Sequence, residues 1–342
     1  MAFEQRNHQI DNLKGMLIFL VVLGHGLELV RQDIFAAKLL YVFIYQFHMP
    51  VFVFLSGCTS KNLEKGRRNA VENFLVPFLA LNIAWNVLHF AVTYLYGGLE
   101  SLEKMVDHPW HSLLTPAWTL WYILALFIWK MLLPDLCRVK HVVFFSLCAG
   151  IFAGFFYEFN SFLALSRVIK LMPFFLFGYF YDADKPRIFS WRKKLAAVAM
   201  LPITAVYTYV VIHCGVPESF FWWDRSFAAS GISKPGIGVL LSIVGYLIGF
   251  GWIFAGNVMM TSKRIFLSRI GRHTLPVYYL HTYCIAVLFG VLTFIPQPAL
   301  KMAAIIVFSA IITWNLSRES VSEWVRRCIR SLNTFIFRAK SE

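Results

Sequence analysis

Leu13-Lys14-Gly15-Met16-Leu17-Ile18-Phe19-Leu20-Val21-Val22-Leu23-Gly24-His25-Gly26-Leu27-Glu28-Leu29-Val30 is an apolar run of bilayer-spanning length that carries a lysine at one end and a histidine inside it. At about 3.6 residues per turn and about 1.5 Å per residue, the offset from Lys14 to His25 is close to three turns. The two therefore share one helix face, about 16 Å apart along the axis. Ionisable groups at membrane depth are expensive and by default mark a functional site. A cation near one mouth and a titratable imidazole deeper in outline a polar track entering the bilayer.

The rest of the chain fits that setting. Of 342 residues, 58% are hydrophobic and 15% charged, with a mean hydropathy of +0.63. A soluble core of this size has no need of one bilayer-length apolar run after another. The first run is not read as a cleaved signal peptide, because it lacks a small-residue cleavage site and holds Lys14 and His25. Six scattered cysteines (Cys58, Cys137, Cys148, Cys214, Cys284, Cys328) show no paired spacing. They read as buried packing thiols, with neither a disulfide framework nor a metal site expected.

Apolar runs between charged punctuation predict an all-α integral membrane protein of about ten spans. These fall near 13–30, 38–59, 73–97, 118–134, 142–157, 168–182, 195–215, 236–258, 275–295 and 301–317. Alternate connections are rich in Lys and Arg. One parity holds Lys61, Lys65, Arg67 and Arg68; Arg138 and Lys140; Lys185, Arg187, Arg192, Lys193 and Lys194; and Lys263, Arg264, Arg269 and Arg272, and the tail adds Arg318, Arg326, Arg327, Arg330, Arg338 and Lys340. The other parity holds Arg31, Lys104, Arg225, Lys234, Lys301 and Arg167. By the positive-inside rule both termini are cytoplasmic and the chain is multi-pass in the cell (cytoplasmic) membrane. The net charge of +14 is then accounted for by topology and anionic lipid, so no nucleic-acid partner is expected. No linker or repeat divides residues 1–318, read as one membrane domain. Residues 319–342 form a basic tail expected to lie on the inner leaflet as an amphipathic helix.

Further polar groups punctuate the spans. Asp11 stands three residues before Lys14 and can pair with it. His48 precedes Pro50, which is expected to kink the second span and open a cavity that His48 lines. Ser56-Gly57 suits close helix packing. The sixth span pairs Arg167 at its outer end with Met172-Pro173. The ninth opens Gly271-Arg272-His273-Thr274-Leu275 and continues to Tyr278, Tyr279 and His281, an imidazole about 10 Å inside the inner surface. His89 in the third span has no such company and reads as a packing residue.

The ordered set Asp11-x-x-Lys14-Gly15, Gly24-His25, His48-Met49-Pro50, Ser56-Gly57, Leu120-Trp121-Tyr122, Met172-Pro173-Phe174-Phe175 to Gly178, and Gly271-x-x-Thr274-Leu275 to Tyr278 and His281 resembles the acyltransferase-3 family of integral membrane O-acyltransferases. The fucose 4-O-acetylase-like members are the nearest in character, and the resemblance runs over nearly the whole chain. It implies a ten-helix enzyme that takes an acetyl group from cytoplasmic acetyl-CoA and transfers it to a hydroxyl of a surface or exported glycan, free or lipid-linked. The family's first-helix histidine maps onto His25 and its basic partner onto Lys14. Asp11, His48 and His281 are the other expected catalytic residues. Lys14, Arg67, Arg68, Arg272 and His273 are the expected holders of CoA phosphates, and Arg167, Trp121 and Tyr278 the expected acceptor-binding residues. One departure is that Lys65, Arg67 and Arg68 sit further back from Pro77 than the family's basic cluster does, with Glu72 and Asn73 between.

Chemically, a sugar hydroxyl needs a base to attack a thioester, and a desolvated neutral imidazole supplies one. His25 could instead carry the acyl group as an acyl-imidazole. The sequence leaves both routes open, and likewise acetyl against a larger group such as succinyl. The competing class is a proton-coupled secondary transporter of an anion or lipid-linked sugar, which also uses broken helices and intramembrane charge.

Overall fold

In hydrocarbon every backbone polar group has to be satisfied within the chain, and these apolar runs satisfy theirs as helices. The structure is a computed structural model that describes residues 7–103, 115–157, 162–182 and 190–337. Lys104, Lys185, Arg187, Arg338 and Lys340 of the charge asymmetry lie outside the described residues. In chain order the helices are α1 (His8–Leu27), α2 (Phe35–Tyr45), α3 (His48–Cys58), α4 (Leu63–Arg68), α5 (Val76–Glu103), α6 (Trp121–Leu136) and α7 (Val142–Phe152). There follow α8 (Leu165–Phe180), α9 (Trp191–His213), α10 (Pro235–Met259), α11 (Phe266–Arg272), α12 (Thr274–Leu292), α13 (Pro298–Leu316) and α14 (Glu319–Ile336). No strand occurs among the described residues. The protein is an all-α, multi-pass membrane protein.

Each of the ten sequence spans coincides with helix, but among the described residues only eight helical stretches have bilayer length. The fourth and fifth, α6 and α7, are 16 and 11 residues long, short of the about 20 a straight crossing needs. The cause at α7 is local. It starts from His141 in the left-handed region (φ 55°) and tightens into a 3-10 turn at Ala153–Phe155.

The second span is broken as expected, although not at Pro50. The break is at Gln46 and Phe47, and Pro50 sits in the first turn of α3, where a missing N–H costs nothing. His48 Nδ1 lies 2.8 Å from the carbonyl of Ile44 across the break, taking up an acceptor that the interrupted helix frees.

α1 runs through the middle of the bundle against α11, α12, α13 and α3, while α3 lies along α8. The approach of α3 to α8 is backbone to backbone. A Cβ on Gly57 would meet the carbonyl of Phe175, and one on Gly178 would meet that of Phe54. The small residues are what bring α3 and α8 together. The start of α1 is pinned by polar side chains. Gln9 donates to the carbonyls of Asn257 (2.6 Å) and Met260 (2.9 Å), and Asn12 donates to those of Thr261 and Lys263, both at 2.9 Å.

The outside of the bundle is apolar. Ile83, Val87 and Phe90 on α5, Val206 and Tyr209 on α9, and Val307 and Ile311 on α13 are exposed, as lipid-facing positions should be. His89 stands on the exposed face of α5 instead of packing inside. The cysteines are not the buried set expected: none of the six forms a disulfide, but Cys58 alone is buried, and Cys148, Cys214 and Cys328 are exposed. On α14, Val325 turns inward and Trp324 and Phe335 outward, and Asn333 donates to the carbonyl of Glu72 (3.1 Å).

Candidate active site

His25 is two residues from the end of α1, and Glu28 follows in the turn that caps it. The i, i+3 spacing brings His25 Nδ1 to 3.0 Å from Glu28 Oε1. The carboxylate collects further donors: the Tyr45 hydroxyl at 2.5 Å, the Tyr41 hydroxyl at 3.4 Å and, on its other oxygen, the Trp118 indole N–H at 3.0 Å. Trp118 reaches in from a left-handed backbone (φ 35°). A carboxylate is acceptor-only, so in the neutral ring the Nδ1 facing it carries the proton and the lone pair of His25 is on Nε2. Arg31 holds the turn by donating to the Glu28 carbonyl (3.0 Å) and pairing with Glu218 (2.5 Å).

His25 lines a cavity of about 290 Å³ together with His48, Trp121, Arg167, Asp224 and Tyr278. Its far wall is the Phe221–Asp224 segment, from a connection that the charge asymmetry assigns to the exterior. That segment is tied to α8: Arg167 donates to the Trp222 carbonyl (3.0 Å) and pairs with Asp224 (3.1 Å). The Arg167 guanidinium also lies over the Trp121 ring, 4.8 Å from its centroid.

Behind this cavity His281 is fully buried, its ring centroid 5.4 Å from that of His25. Its Nδ1 faces the carbonyls of Val277 (3.0 Å) and Tyr278 (2.8 Å) on its own helix, and its Nε2 is buried with no hydrogen-bond partner. Carbonyls only accept, so His281 also presents its lone pair on Nε2.

A second cavity, of about 170 Å³, is lined by Lys14, Ser56, Tyr122, Lys130, Thr274 and Tyr278. The same helices, α1, α3, α6 and α12, build both. On α3, His48 and Met49 face the first and Phe52 and Ser56 the second. On α6, Trp121 faces the first and Tyr122 and Lys130 the second. The polar track expected from Lys14 to His25 is thus two stacked chambers, with Lys14 in the inner and His25 in the outer. Tyr278 lines both. In the inner chamber Lys130 donates to Ser60 Oγ (2.8 Å), and the hydroxyls of Ser56 and Tyr122 are hydrogen-bonded.

The remaining expected site residues are placed apart from His25. Asp11 is buried at the α1–α11 contact, with Arg272 Nε 3.9 Å from its carboxylate. Arg272 and His273 immediately precede Thr274 of the inner chamber. Arg67 and Arg68 are exposed on α4, and Arg67 lies 3.5 Å from Asp135.

Sequence reasoning missed Glu28, Tyr45, Trp118, Lys130 and Asp224. Only Glu28 left a signal: a carboxylate one turn after His25 in the same apolar stretch. The others come from segments far away along the chain.

The family model described as "Acyltransferase domain" matches residues 7–318. "Nodulation protein NolL" of Mesorhizobium japonicum is 27% identical over 259 residues, covering 67% of this chain and 66% of that protein. "Nodulation protein NolL" of Sinorhizobium fredii is 33% identical over 132 residues, covering 36% of this chain and 35% of that protein. The chain therefore spans just under two thirds of the first relative and about a third of the second. No solved structure matches.

Proposed function

The chain belongs to this acyltransferase family, and from that premise we propose that it moves an acetyl group from cytoplasmic acetyl-CoA to a hydroxyl of a surface or exported glycan. It is a multi-pass membrane acyltransferase, and we place it in the cytoplasmic (inner) membrane. Residues 1–318 act as one unit, and the 319–342 tail rests on the inner leaflet.

The observation that carries the reading is the His25–Glu28 pair, which leaves a lone pair on Nε2 in a cavity on the exterior side. In direct transfer, Nε2 removes the proton of the acceptor hydroxyl as its oxygen attacks the thioester carbon. The C–S bond breaks, and the sulfur leaves with that proton. In the relay, Nε2 itself attacks the thioester carbon, the C–S bond breaks and CoA leaves as the thiolate. The acceptor oxygen then displaces the acyl group from nitrogen, and its proton passes by way of the freed Nε2 to the thiolate. Either way Glu28 holds the ring and offsets the positive charge it gains.

The outer cavity suits a sugar. Trp118 and Trp121 line it with aromatic surface for C–H groups, and Arg167 and Asp224 offer donors and an acceptor to hydroxyls. Lys14 and Lys130 suit the anionic donor in the inner chamber, with Arg272, His273, Arg67 and Arg68 as a basic surround. His48 and His281 flank His25 as further proton acceptors. The test is release of CoA from acetyl-CoA by the purified protein, with a sugar-supplemented arm. His25→Ala abolishes it, and full turnover by that variant refutes the reading.

A further inference from the structure

The far wall of the outer cavity is held by one face of α8. Ser166, Arg167 and Lys170 are spaced i, i+1 and i+4, so they project to the same side of the helix. The Ser166 hydroxyl donates to the carbonyl of Trp223 (3.1 Å), Arg167 Nε to that of Trp222 (3.0 Å) and the Lys170 ammonium to that of Arg225. Arg167 adds its pair with Asp224 (3.1 Å). Each residue from Trp222 to Arg225 is thus fastened to a single turn of α8, and Trp222, Trp223 and Asp224 line the cavity.

The segment needs this fastening. Trp223 has a left-handed backbone (φ 63°), which a bulky residue keeps only where its surroundings impose it. Ser166 and Arg167 take the carbonyls up to Trp223, and Lys170 takes the one beyond, so the bend is held on both sides. Lys170 is buried, and the Tyr246 hydroxyl donates to its carbonyl (2.9 Å), fixing the backbone from which it reaches. A buried lysine in a membrane helix is expensive, and by default it marks a functional role. Lys170 is in the lining of neither cavity, so that role is indirect.

We propose that Lys170 is a positioning residue for the acceptor, holding the Trp222–Arg225 wall in place through the Arg225 carbonyl without touching either substrate. This rests on the reading of the outer cavity as the acceptor site and the inner chamber as the donor site. Without the ammonium the Arg225 carbonyl loses its donor, and the segment relaxes around Trp223. The acceptor's contacts with the wall then loosen. The donor chamber and the His25–Glu28 pair lie on other elements and keep their geometry.

The experiment uses the full chain in lipid nanodiscs with acetyl-CoA as donor. Methyl glycosides of fucose, rhamnose, glucose and N-acetylglucosamine are the acceptor probes, and the best of them is taken into steady-state kinetics. Hydrolysis of acetyl-CoA without sugar is measured in parallel. Lys170→Met, which removes the ammonium at similar volume, should raise the acceptor KM about threefold or more. The KM for acetyl-CoA and the hydrolysis rate should stay at wild-type values. Ser166→Ala, which frees the Trp223 carbonyl, should shift the acceptor KM the same way, and Lys170→Arg, which restores a charged donor, should lie nearer the wild type. An unmoved acceptor KM in Lys170→Met overturns the proposal, as does an Arg variant as impaired as Met. So does an equal fall in transfer and hydrolysis at constant KM, the mark of a merely structural residue. Should Lys170→Met not be recovered, an unmoved acceptor KM in Ser166→Ala overturns it. A wild type that hydrolyses acetyl-CoA but acetylates none of the glycosides overturns the glycan reading and this proposal with it. A wild type active on a glycoside, with the variants unmoved, overturns the role of Lys170 alone.

Discussion

The imidazoles of His25 and His281 lie with centroids 5.4 Å apart, one half-buried and bonded to a carboxylate, the other fully buried and bonded to its own helix. Their partners give the two rings the same tautomer but different access. His25 lines the outer cavity; His281 stands behind it. The Nε2 of His281, buried without a hydrogen-bond partner beside the His25 ring, is placed to accept a proton that His25 hands on. His281→Asn, which removes that ring, should lower kcat more than the KM for either substrate. Steady-state kinetics in both substrates checks this.

Glu28→Gln should lower kcat by about 10²- to 10⁴-fold, the usual scale for impairing a general base or its orientation. An amide cannot accept from His25, Tyr45 and Trp118 as the carboxylate does, because its nitrogen is a donor. Membrane abundance should stay at wild-type level, because the neighbouring packing is kept. Parallel immunoblots and CoA-release rates distinguish the two effects.

Lys14→Arg should retain activity and Lys14→Glu should lose it, since positive charge and reach are what an anionic donor requires. Lys130→Met should raise the donor KM by about tenfold, as expected for losing one charge-assisted contact, with a smaller change in kcat. Titration of acetyl-CoA at fixed acceptor measures both. Equal activity of the Glu variant would remove Lys14 from the donor site.

Arg167→Lys keeps a charge but loses the planar contact with Trp121 and the bond to the Trp222 carbonyl. Transfer to a sugar acceptor should fall severalfold or more, while acetyl-CoA hydrolysis by water should change little. The ratio of the two rates is the measurement.

Gly178→Ala should destabilise the fold by about 1–3 kcal/mol, because the new methyl would be driven into the backbone of Phe54 on α3. Gly66→Ala is the control, since a Cβ there meets nothing within 4 Å. Thermal unfolding in detergent should separate the two variants clearly.

Taken alone, the sequence determined the helical class, the membrane setting and where the apolar runs lie, though two of the ten, α6 and α7, fall short of bilayer length, and it singled out His25 on α1. All of these follow from hydropathy and period along one stretch of chain, which are local properties that need no partner. Glu28 was missed, although its place one turn beyond the histidine in the same apolar stretch is a local signal. Tertiary structure alone decided that Trp118 closes on Glu28, that His281 meets His25, that Asp11 lies near Arg272, and that Lys14 and His25 face separate chambers, both lined by Tyr278. The physical reason is that side chains on different helices meet only through how those helices pack. That packing is set by close approaches such as Gly57 against Phe175, which periodicity along any single helix does not encode.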